Sequence, residues 1–386
     1  MNSSRRNFLA AGLALPTAAL ATTTGQSSAP PQTRLAEPGR TVSYQKLGKT
    51  GLTPTRVAFG CMITSDGSVI EKAADLGINY FDTARGYQGG NNERMVGAAL
   101  KSKRKDVYIS SKSHAADKAK AVEDLETSLK TLGTDYLDIW YLHAKQSAEQ
   151  LTPELLEAQQ TAKKDGKIRF TGVSTHSGQA SVIDGAIKSG MIDVVLLAYN
   201  FATDPELEAA IGRAKEAGLG LVAMKVMAGG SRRAKPGDKT YETLKRDGAM
   251  VAALKWVLKN PKIDTTIPSI TDMEQLDANM KAMGAKFSEA DEKTLTAHLH
   301  HIGPLYCRMC GKCEGTCAKG LPVADVLRFV TYADGYGQFA LGRERFLELP
   351  AEVAAVRCGD CSSCSVTCPY GVRVAERAGR AQELFA

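Results

Sequence analysis

The sequence predicts an α/β protein, a (β/α)8 TIM barrel followed by a smaller, mainly α-helical module. From residue 44 onward, short apolar runs alternate with helical patterns, and eight strand–helix pairs fit in about 250 residues, the number and length of such a barrel. The candidate polar residues end several different strands, and no Gly-x-Gly-x-x-Gly follows the first one, which argues against a doubly wound open sheet. Eight of the nine cysteines lie after residue 306, so the end of the chain carries a separate chemistry.

Residues 1–21 read MNSSRRNFLAAGLALPTAALA. Arg5 and Arg6 precede an uncharged apolar stretch from Phe8 to Leu20, and Ala19-Leu20-Ala21 has the small-residue form of a cleavage site. This is the pattern of a twin-arginine export signal, which makes the twin-arginine translocase an expected partner and the periplasm the expected location. The stretch is short for a bilayer, and no later run of about eighteen apolar residues occurs, so the mature chain is expected to have no membrane span. Residues 22–43, rich in Thr, Ser, Pro, Gln and Ala, read as a flexible linker. Removing 1–21 takes away two arginines and lowers the net charge from +7 to +5. No basic block with interleaved aromatics follows, so nucleic acid is not an expected partner; KSKRK (101–105) reads as a solvated turn.

The barrel is placed at 44–302. Strands are expected near 55–59, 78–82, 107–111, 136–142, 168–173, 193–198, 219–225 and 264–268, with helical patterns including 117–132, 153–165, 205–217, 241–259 and 272–282. In the segment FDTARGY (81–87), Asp82 ends an apolar strand and Tyr87 lies in a Gly-flanked loop, after which Asn91 or Asn92 can cap a helix starting near Glu93. VYISSK brings Lys112 to the end of the next strand, and YLDIWYLH brings His143 to the end of the one after. An ammonium beside Tyr87 lowers a phenol pKa that is otherwise near ~10, and Asp82 holds Lys112 charged and in place. Tyr87 would then be placed to exchange a proton with a bound group, and His143 to orient that group.

This set resembles the catalytic tetrad of the aldo-keto reductases: Asp82, Tyr87, Lys112 and His143. LGKTGLTPTRVAFG (47–60), GKIRFTGVST (166–175), YNF (199–201) and the run from Trp256 through IPSI (267–270) to Asn279 are similar to that family's segments and stand in its order. The resemblance implies a nicotinamide nucleotide, NAD or NADP, held by the second half of the barrel. By it, Ser174, Lys225, Gly229, Gly230, Ser269 and Asn279 are the candidate contacts. Several family features are replaced. Thr175 follows Ser174, Leu196 stands where a glutamine is common, Met224-Lys225 replaces a ring-stacking tyrosine, and ITDMEQLDAN (270–279) lacks the base that grips a 2′-phosphate. The choice between NAD, NADP and no nucleotide is therefore open.

In the module at 303–386, Cys307, Cys310, Cys313 and Cys317 have the spacing C-x2-C-x2-C-x3-C, and Cys358, Cys361, Cys364 and Cys368 repeat it, with Pro369 after the second run. Three thiolates so spaced can hold three corners of an iron–sulfur cube while the fourth reaches another cluster. Structural zinc more often uses two separated C-x2-C pairs, and disulfides are the other alternative in an exported chain. The runs resemble a two-cluster ferredoxin module, which implies two 4Fe–4S clusters, one on Cys307, Cys310, Cys313 and Cys368, the other on Cys358, Cys361, Cys364 and Cys317. Helical patterns near 323–331 and 339–348 fill the spacer, and Cys61 is expected to be a buried structural thiol.

The expected function is an exported oxidoreductase interconverting a carbonyl and an alcohol on a small organic substrate. The clusters would serve electron transfer, with a redox partner protein or carrier, or structure. The alternative is an electron-transfer protein whose barrel is a scaffold or binding module.

Overall fold

Eight parallel strands run in sequence order around the molecule in the computed structural model, which describes residues 42–229 and 248–386. The expected signal, nearly all of the linker, Gly230 and the first part of the 241–259 helical pattern lie outside the described residues. The strands are β1 Phe59–Gly60, β2 Tyr80–Asp82, β3 Tyr108–Ser113, β4 Leu137–Lys145, β5 Ile168–Thr175, β6 Val194–Ala198, β7 Gly220–Met224 and β8 Thr265–Thr266. Parallel bridges Val57↔Thr266 and Gly60↔Ser269 join the last strand to the first and close the (β/α)8 barrel.

Alternation along the strands sorts side chains to two cores. Tyr80, Ile139, Tyr141, Val194, Leu196 and Val222 point inward, where Leu47 and Leu52 join them. Phe59, Phe81, Trp140, Leu142 and Leu197 point outward against the helices. Leu196 thus belongs to the barrel interior, an apolar position in this chain.

Helix starts follow side-chain chemistry. Asp117, Thr152, Asp272 and Ser288 each accept a backbone N–H from the first turn of the helix that follows. The helix after Tyr87 departs from expectation: it spans Asn91–Leu100 with Gly90, at φ +88°, as its cap and no side-chain cap bond. Asn92 is turned to tertiary partners instead, donating to the Cys61 carbonyl at 2.8 Å and accepting from Thr83 Oγ1 at 2.6 Å.

After the helix Glu289–Ile302, the C-terminal segment forms helices Val323–Asp334, Phe339–Leu347 and Val374–Phe385; the last was not expected from the sequence. Their apolar faces make a core of their own, with Val326, Leu327, Val330, Phe346 and Phe385 at its centre and Cys307, Cys313, Cys317, Cys358 and Cys368 packed against it. A buried ion pair, Arg377 to Asp334 at 2.7 Å, ties the last helix to the first. The segment docks on the strand ends through Tyr306 and Met309, which pack with Ala198, Ala202 and Ala228. Among the described residues, no helix is long and apolar enough to cross a membrane.

Candidate active site

The ends of β2, β3 and β4 bring Asp82, Lys112 and His143 together, and the loop after β2 adds Tyr87. Lys112, 1 % exposed, donates to Asp82 Oδ2 at 2.5 Å and to the Thr83 carbonyl at 2.6 Å. Asp82 Oδ1 accepts from Ser110 Oγ at 2.7 Å, and a buried chain continues through Tyr80 to Tyr141, at 3.0 and 2.9 Å. The Lys112 ammonium lies 5.0 Å from the centroid of the Tyr87 ring, and the Tyr87 and His143 rings meet edge to face at 5.9 Å. His143 is followed by Ala144 at φ +53°, whose N–H donates to Ser174 Oγ at 2.8 Å.

The Tyr87 loop is held from behind. Arg85 pairs with the fully buried Glu93, which also accepts from Ser111 Oγ at 2.6 Å. A Cβ on Gly90 would lie 1.8 Å from that pinned guanidinium, so this position requires glycine for space as well as for its φ.

Burial decides the ionisation of the site. It raises the Tyr87 phenol well above its usual range; Asp82 adds to the rise and Arg345 opposes it. The expected lowering by Lys112 does not occur. Its ammonium is engaged with Asp82 and Thr83, so the neighbouring carboxylate offsets its charge at the phenol. Within the pair, burial pushes the carboxyl up and the ammonium down, each opposed by the partner. His143 is driven well below its usual value by burial and by the nearby His114, Lys112 and His176, so its imidazole is neutral. Among the described residues its buried Nδ1 has no hydrogen-bond partner.

These groups open into a cavity of about 580 Å³ with two kinds of wall. The barrel supplies Asp82, Tyr87, His143, Met224, Lys225, Ser269 and Asn279, and the C-terminal segment supplies Arg328, Phe329, Tyr332, Tyr336 and Arg345. Of the residues expected to contact a nucleotide, Lys225, Ser269 and Asn279 line it. Ser174 is fully buried behind it, supporting the backbone after His143. At Gly229 (φ +88°) a Cβ would meet the Tyr306 ring at 2.7 Å, and a Cβ on Gly335 would meet the Gly229 carbonyl at 2.0 Å. The close approach that requires glycine there is made by the C-terminal segment.

Sequence reasoning passed over His114, His176, Arg328, Tyr332 and Arg345. His114 stacks on His143 at 3.8 Å, and burial with nearby cations pushes it down to about 3. The signal was available: His114 and Lys112 are two apart, as are His176 and Ser174, and Arg328 and Tyr332 are four apart on one helix.

The cysteines form two neighbourhoods. Cys307 has Cys310, Cys313 and Cys368 as thiol neighbours; Cys358 has Cys317, Cys361 and Cys364. All nine cysteines are free thiols, and Cys61 is fully buried. Among the described residues, no three His, Cys, Asp or Glu side chains converge closely enough to hold a single metal ion.

Residues 65–300, more than half of the chain, match the model of the aldo/keto reductase family. An uncharacterized oxidoreductase, YqkF of Bacillus subtilis, is 28% identical over 296 residues, 66% of this chain and 95% of its own. The NADH-specific methylglyoxal reductase of Escherichia coli is 25% identical over 310 residues, 64% of this chain and 94% of its own. Among solved structures, the holo form of the aldo-keto reductase AKR11C1 from Bacillus halodurans aligns with a TM-score of 0.57 and 26% identity, covering 70% of this chain and 99% of that one.

Proposed function

Because this chain belongs to the aldo/keto reductase family and is an oxidoreductase of that type, we propose that it interconverts a carbonyl and an alcohol on a small organic substrate, with Asp82, Tyr87, Lys112 and His143 as its catalytic residues. The observation that carries this reading is the Asp82–Lys112 pair set beneath Tyr87, beside His143, at one wall of the cavity.

In the reducing direction Tyr87 gives its phenolic proton to the carbonyl oxygen, and the Arg345 charge, which favours the phenolate, offsets part of the cost of leaving it. Neutral His143 orients that oxygen, and Asp82 with the Thr83 carbonyl keeps Lys112 in place. A nicotinamide nucleotide, when bound, supplies or accepts the hydride. Ser269, Gln275 and Asn279 bring neutral polar groups to the cavity wall after β8 and suit an amide or ribose. Asp272 and Glu274 line the same wall, so among the described residues this donor set does not fit a 2′-phosphate. NAD is therefore the better match, in keeping with the relative named as NADH-specific.

The same proposal places two 4Fe–4S clusters in the C-terminal segment. The two thiol neighbourhoods, packed on an apolar core, support it, and each would supply one-electron transfer or structural cross-linking. The arginine pair and apolar run of residues 1–21 support export to the periplasm by the twin-arginine route.

Tyr87→Phe tests the reaction. With NADH and a panel of small aldehydes and ketones, turnover is expected to fall by at least about 100-fold, the scale of a general acid. Turnover within about threefold of the parent protein would remove Tyr87 from the chemistry.

A further inference from the structure

The roof of the cavity carries positive charge that the carbonyl chemistry does not use. Lys225 follows β7 at φ +56° and lines the cavity. Among the described residues it has no carboxylate partner; its ammonium donates to Tyr332 Oη at 3.4 Å, and the Tyr332 and Tyr336 rings flank it at 4.7 and 5.6 Å. Arg328, 11% exposed, lines the same cavity and donates Nη2 to Asp325 Oδ1 at 2.7 Å, while among the described residues its buried Nε has no acceptor. Asp325 also accepts from Gln146 Nε2, at 3.0 and 3.3 Å, so Arg328 shares this carboxylate. His176, 8% exposed, lines the cavity with both cations, and among the described residues its buried Nδ1 has no partner.

Two cations that line one cavity, both partly buried and one of them without a carboxylate partner among the described residues, carry a desolvation cost that an anion between them would offset. Such an anion would gain charge-assisted hydrogen bonds from both. We propose that Lys225, Arg328 and His176 form an oxyanion subsite, and that the substrate is a carbonyl or alcohol compound bearing a carboxylate. Tyr332, which Lys225 reaches at 3.4 Å, lines the same cavity as Tyr87, so the anion would share one cavity with the proton donor. A shared cavity suits a small oxo or hydroxy acid that carries both functional groups. The inference rests on the carbonyl chemistry proposed above, and it makes the C-terminal segment, through Arg328, a determinant of specificity.

The same chemistry could serve a nucleotide phosphate, and the test separates the two. Calorimetric titration of the full-length protein compares 2-oxobutanoate, its uncharged counterpart butanone, and inorganic pyrophosphate. The oxo acid is expected to bind at least about tenfold more tightly than butanone, and Arg328→Met and Lys225→Met are each expected to abolish that preference. Equal affinities, no binding of the oxo acid, or a preference that survives both substitutions overturns the inference. Loss of pyrophosphate affinity instead of oxo-acid affinity in the variants assigns the cations to a nucleotide and also overturns it. Melting curves show whether each variant is folded, and either one that is folded suffices. In Tyr87→Phe, oxo-acid binding is expected to persist while turnover is lost. If binding persists and turnover does too, the reaction proposed above fails and the oxyanion subsite stands.

Discussion

Three imidazoles share the cavity, and all are neutral for the same reason. Burial disfavours the charged form, and Lys112, Arg328 and Arg345 disfavour it further. His143 and His176 are at least nine-tenths buried, so their shifts act on stability. In the unfolded chain these groups take up protons as the pH drops below ~6.5, whereas in the folded chain they do not. The unfolded state then binds more protons, so stability is full above that value and falls as the pH goes lower. Thermal melts between pH 8 and pH 5 are expected to show this loss, and a His143→Gln, His176→Gln double variant to show less of it. An equal loss in the double variant would place its origin elsewhere.

At the scale of elements, the loop from β2 to the helix Asn91–Leu100 fixes where Tyr87 stands. Arg85 and Glu93 clamp it, Gln88 Nε2 reaches the Thr64 carbonyl at 2.8 Å, and Gly90 turns the chain in the left-handed region. A side chain at Gly90 strains the backbone and displaces a guanidinium that the Glu93 carboxylate holds. Gly90→Ala is expected to cost about 1–3 kcal/mol of stability in denaturant unfolding and to lower turnover by moving the phenol. A variant as stable as the parent would show that the loop yields easily and that the clamp matters little.

Across the whole molecule, the C-terminal segment roofs the barrel's strand ends while keeping its own core and its eight cysteines. Protein purified without oxygen is expected to hold close to eight irons and eight acid-labile sulfides per chain, the content of two four-iron cubes. Stoichiometric zinc without labile sulfide would refute the clusters. A chain that takes up clusters before export must cross the membrane folded, which is why the arginine pair belongs to the same prediction. Changing Arg5 and Arg6 to lysine is expected to leave unprocessed protein in the cytoplasm; normal periplasmic accumulation of that variant would rule out the twin-arginine route.

The amino-acid order by itself determined the barrel and the place of Asp82, Lys112 and His143 in it. Strand periodicity and length are local properties, and a residue at the end of an apolar run in a parallel sheet emerges at the same rim wherever that run lies in the chain. It also determined which cysteines belong to which run. Only the tertiary structure decided that Tyr87 is raised rather than lowered, because burial and the Asp82 charge outweigh the opposing Arg345 at the phenol. It decided that Gly229 serves the docking of Tyr306, and that Arg328 and Arg345 face residues of a barrel far away in sequence. Charge and desolvation act through space, on neighbours that no local pattern in the chain specifies, and those neighbours set what the cavity can bind.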